Sequence, residues 1–113
     1  LVDAEYVRTR LLVTRPDRFE AIIEALREAA DELEWDVVPE SLGGRPVDPA
    51  EVERETRARG GVHPVRPHVV RIVVRGVQPE AAHVDAARLL RRARSRHPDL
   101  TGVELDRIAT PDA

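Results

Sequence analysis

The sequence predicts an α+β fold, with one antiparallel sheet covered on a single face by two helices. Three observations point there. Two long segments carry apolar residues at helical spacing, and each is bracketed by short β-branched runs. The resulting order is strand, helix, strand, a polar insert, then strand, helix, strand. Two such halves make a ferredoxin-like βαββαβ sandwich, whose four-stranded sheet sets strands one and three centrally and the last strand beside the first. At 113 residues the chain reads as a single domain, with the insert at about 41–67.

Each element has its own signature. Tyr6–Val13 alternates as the first strand, with Val7, Leu11 and Val13 on one face and Tyr6, Arg8, Arg10 and Leu12 on the other. Thr14 and Asp17 have the spacing of a capping box, and Pro16 suits a first helical turn. Phe19, Ile22, Ile23, Leu26, Ala29, Ala30 and Leu33 then form one stripe, opposed by Glu20, Glu24, Arg27, Glu28 and Asp31. Trp35 closes the corner into a second strand, Asp36–Glu40, where Pro39 requires a sheet edge. Gly43-Gly44 is a turn, and Asp48 to about Arg59 reads as a short solvated helix.

His68–Arg75 is the strongest strand signal, with Val70, Ile72 and Val74 on one face and Arg71 and Arg75 on the other. Pro79 opens a second long helix that turns Val84, Ala87, Leu90 and Ala93 inward. Arg91, Arg92, Arg94 and Arg96 crowd its last turns, where the helix dipole favours cations. The final strand runs over Gly102–Ile108 with Val103 and Leu105 inward. In the ferredoxin-like order Glu104 and Asp106 fall beside Arg8 and Arg10 on the uncovered face.

Composition narrows the function classes. With no cysteine, thiolate metal sites, disulfides and a cysteine nucleophile are excluded. All eighteen basic residues are arginine, as biased codon usage in a GC-rich genome produces. A net charge of −3 and one each of Phe, Tyr and Trp argue against a nucleic-acid partner. No apolar run approaches the roughly 18 residues of a membrane span, and no signal-type stretch is visible, which tilts the expected compartment slightly to the cytoplasm.

No residue set reads as catalytic, and neither a metal nor another cofactor is expected. His63, His68, His83 and His97 lack zinc-ligand spacing and read as surface or capping residues. Ser41 and Ser95 stand outside any nucleophile elbow. Gly43-Gly44-Arg45-Pro46 is a turn rather than a phosphate loop. The carboxylates lie beside arginines on solvated faces. What stands out is the uncovered sheet face, where Tyr6, Arg8, Arg10, Leu12, Val69, Arg71, Val73 and Arg75 form a mixed apolar and cationic patch suited to another polypeptide. A second copy of the chain, giving a homodimer, is an equal use of that face.

The run Tyr6–Val13, the helix Arg18–Leu33, and His97-Pro98-Asp99-Leu100 leading to Val103–Ile108 resemble the N-terminal region of actinobacterial subtilisin-like serine proteases. That resemblance implies a ferredoxin-like prodomain, a folding chaperone and inhibitor of the catalytic domain that follows it in cis. Its open sheet then packs on two protease helices through Arg8, Arg10, Arg71, Val73 and Arg75. Its extended tail, Ile108, Ala109, Thr110 and Pro111, lies in the substrate cleft as an added strand. The insert is longer than the tight hairpin of such prodomains, and Pro111 interrupts backbone pairing, so an uncleaved N-terminal accessory module is a variant of this reading. A ligand-sensing or oligomerising regulatory domain is the alternative. An acylphosphatase-like enzyme shares the topology but wants an asparagine, and the chain has none.

Overall fold

Alternation in the strands and helical spacing between them converge on one apolar layer. The computed structural model describes residues 5–60, 68–76 and 84–107. Strands β1 (Tyr6–Val13), β2 (Trp35–Ser41), β3 (His68–Val74) and β4 (Val103–Arg107) form an antiparallel sheet in the order β2-β3-β1-β4, the ferredoxin-like order the sequence predicts. Helix α1 (Phe19–Glu32) packs on β2, and α3 (Ala86–Arg96) packs on β1 and β4 and against α1. Between helices and sheet lie Leu11, Val13, Phe19, Ile22, Ile23, Leu26, Val70, Leu89 and Val103, each at most 2% exposed.

Helix α1 begins differently from its expected capping box. Pro16–Arg18 forms a 3-10 turn, and no side chain caps either that turn or α1. The Asp17 carboxylate instead takes the Arg15 guanidinium at 2.9 and 2.7 Å. That bond holds Asp17 below the ordinary carboxylate range, against the opposing effect of burial. Thr14 contributes its backbone: the amides of Thr14 and Arg15 both donate to the Gly102 carbonyl, at 2.8 and 3.1 Å, joining the exit of β1 to the entry of β4.

The insert is more than a solvated excursion. Pro46 bridges back to Glu40, and the Val47 amide donates to the Pro39 carbonyl on the edge strand β2. Asp48 then caps α2 (Pro49–Ala58), accepting from the Ala50 amide at 3.1 Å. Val47 and Val52 rest on the core, so α2 is a third helix against the Pro16–Arg18 turn and α1. The sequence understates this contact because only two apolar side chains make it.

Helix α3 starts at Ala86 behind the cap Asp85; the expected opening at Pro79 lies outside the described residues. Its buried stripe is Ala86, Leu89, Leu90 and Ala93, with Ala87 half-buried rather than central. A repeat of three turns through about 300° per step, so the predicted series Val84, Ala87, Leu90 drifts around the helix.

Candidate interaction surface

The face of the sheet turned away from the helices is built by the alternate residues of all four strands. Strand register sets Arg10 opposite Arg71 and Leu12 opposite Val69 at its centre. On the outer strands Val38 stands opposite Arg71, Glu40 opposite Val69, Asp36 opposite Val73, and Glu104 opposite Leu12. Leu12, Val38 and Val73 are half-buried there, so apolar side chains sit partly exposed among charged ones.

The arginines of this face are paired within the sheet. Arg71 Nε donates to Glu40 Oε2 at 3.0 Å, and Arg10 Nε to Asp106 Oδ2 at 2.5 Å, the latter the cross-strand match expected from the sequence. Glu40 is 7% exposed and Val69 5%, so this cross-strand pair is buried although it lies on this face. The surface thus alternates in sign and is less cationic than its arginine count implies. Asp36, Val38 and Glu40 were legible as the polar-side series of β2 through the period-two rule, yet the expected patch left them out.

Tyr6 and Arg75 of the expected patch lie elsewhere, and Arg8 is exposed within a register shift beside Tyr6. On β1 the five steps from Tyr6 to Leu11 span only the two from Arg107 to Leu105 on β4. An odd surplus of residues reverses the face of everything beyond it. Tyr6 therefore packs against the core, and its hydroxyl donates to Asp85 Oδ1 at 2.6 Å. That bond to a carboxylate, with burial, raises the phenol above its ordinary value, while neighbouring Arg8 opposes the shift. Arg75 reaches round the end of the sheet to Asp36 and Asp31, at 2.8 and 2.6 Å, and to the Trp35 carbonyl at 3.2 Å. These carboxylates raise its guanidinium further above its already high value. It thereby braces β2 to α1.

The tail residues Ile108, Ala109, Thr110 and Pro111 lie outside the described residues, as do His63 and His83. His68 stacks edge-on against Phe19 with ring centres 5.5 Å apart, and His97 Nε2 lies 2.6 Å from Glu28 Oε2. Among the described residues no group of three or more His, Asp or Glu side chains converges as metal ligands do. No described helix is long and apolar enough to cross a membrane. Comparison with known protein families, curated proteins and solved structures returns no match.

Proposed function

We propose that this chain is a non-catalytic docking domain that seats another protein on its open sheet face, acting as a prodomain-like or accessory module of a subtilisin-like protease. The observation that carries this reading is that, among the described residues, the helices cover one side of the sheet. All three described helices lie on the core side, leaving Leu12, Val38 and Val73 half-buried between fixed ion pairs on the other. Exposed apolar side chains framed by oriented charges are what a protein interface uses for affinity and register. The protease as partner rests on the resemblance of Tyr6–Val13, Arg18–Leu33 and His97–Ile108.

The test is calorimetric titration of the domain with a purified subtilisin-like catalytic domain, alongside inhibition of peptide hydrolysis. Saturable binding that is lost in Leu12→Asp combined with Val73→Asp supports the assignment. Absence of both heat and inhibition overturns it. A second reading, oligomerisation through the same face, is favoured by the alternation of Arg10 and Arg71 with Glu40 and Asp106, because a face carrying both signs can complement itself. Sedimentation equilibrium decides it: a dimer split by the same double substitution selects the second reading.

A further inference from the structure

Helix α3 breaks the charge pattern of the other helices. Helix α2 pairs Glu53 with Arg57 at 2.9 Å one turn apart, as stabilised surface helices do. Ala86–Arg96 has five arginines and no carboxylate, in a chain whose net charge is −3. Arg88 and Arg91, Arg88 and Arg92, Arg91 and Arg94, and Arg92 and Arg96 are like-charged neighbours three or four residues apart, each pair costing about 0.2–0.5 kcal/mol. Glu32 of α1 relieves part of this. It holds Arg96 at 2.6 Å but Arg92 only at 3.5 Å. Arg88 stacks 5.8 Å over the Trp35 ring, and Arg91 has no carboxylate partner among the described residues.

Arg88, Arg91, Arg92 and Ser95 line one shallow depression of about 320 Å³ on the outer face of the helix. We propose that this depression binds the phosphate groups of a small oligophosphate ligand. Guanidinium forks match phosphate oxygens two at a time, the Ser95 hydroxyl adds a donor, and among the described residues no carboxylate lines the depression to oppose an anion. From Arg88 to Ser95 the helix rises about 10 Å, the scale of a short phosphate chain rather than of a long polymer. The chain's three aromatic rings are each buried or half-buried, so none offers a platform for stacking bases. Bound phosphate also relieves the repulsion that α3 otherwise carries. This site is separate from the docking face and independent of the function proposed for it.

The test is calorimetric titration of the full chain with inorganic tripolyphosphate at low salt, with orthophosphate, a pentaglutamate peptide and oligothymidylate as the other arms. One tripolyphosphate bound per chain, at least tenfold tighter than orthophosphate and weakened severalfold by added salt, is expected. Arg91→Gln with Arg92→Gln keeps helix propensity and lowers affinity at least tenfold, while Arg45→Gln with Arg54→Gln leaves it unchanged. Ser95→Ala lowers it two- to threefold. No saturable binding of tripolyphosphate, or binding indifferent to the Arg91 and Arg92 substitutions, overturns the proposal. Tighter binding of pentaglutamate or oligothymidylate than of tripolyphosphate overturns the choice of ligand.

Discussion

Arg10 and Arg71 stand directly opposite each other across the central strands, and each turns outward to a carboxylate on its neighbouring edge strand, Asp106 and Glu40 respectively. Two cations in register at a sheet centre disfavour pairing of β1 with β3. The carboxylates convert that liability into two ion pairs that also tie each outer strand to an inner one. Glu40→Gln removes one of them and leaves Arg71 facing Arg10. The expected loss is about 1–2 kcal/mol by urea denaturation. Adding Arg71→Gln to that variant should restore part of it, because the repulsion goes with the second charge.

Of the described glycines, Gly102 has the least room for a side chain. It adopts φ +85°, and a Cβ there lies 2.5 Å from the Arg15 Cβ and 3.3 Å from Ile22 Cδ1. Gly102→Ala combines left-handed strain with a contact that backbone movement alone relieves. A loss of about 2–3 kcal/mol is expected, read as a fall in the thermal midpoint. At Gly44 and Gly60, where φ is also positive but nothing lies within 4 Å, alanine should cost less.

The Tyr6–Asp85 bond makes stability sensitive to alkali. Because folding raises the phenol's pKa, its contribution is fully present below the unfolded value near 10 and is lost as pH climbs through the higher folded value. Urea denaturation between pH 8 and pH 11.5 should therefore show a decline above about pH 10 in the parent chain. Tyr6→Phe starts about 1–2 kcal/mol lower at pH 8 and lacks that component of the decline. Equal alkaline slopes for the two proteins contradict the assignment.

Arg75 separates bracing from docking. Arg75→Ala removes bonds to Asp31, Asp36 and the Trp35 carbonyl, so α1 and β2 lose a shared partner. Arg75 and both carboxylates are well exposed, so only a slight fall in the urea midpoint is expected. Binding to a partner on the open face should be unchanged in this variant, in contrast to Leu12→Asp.

The elements themselves were legible because Phe19, Ile22, Ile23 and Leu26 repeat at helical spacing and Val70, Ile72 and Val74 alternate. The strand order followed from two βαβ halves. The register of Arg10, Leu12, Arg71 and Val73 on the open face was legible from alternation, whereas Val69 shares that face but is 5% exposed. That of Tyr6 was not: a slip of register leaves no mark in sequence, since it depends on how β4 aligns with β1. Nor was the pairing of the arginines with Glu40, Asp36 and Asp31, because distant side chains meet only once the sheet is assembled. The capping box does not form because Arg15, two residues before Asp17, takes its carboxylate in place of a backbone amide.

The pairing of β1 with β4 also governs the order in which the molecule can be completed. A chain emerging from its amino end presents β1 first, yet the last segment to dock on that strand is Val103–Arg107, nearly the whole sequence later. Until those residues arrive, one side of a central strand offers open hydrogen-bonding groups to any passing extended chain. A ribosome stalled before Val103 thus holds a nascent sheet with an adhesive margin.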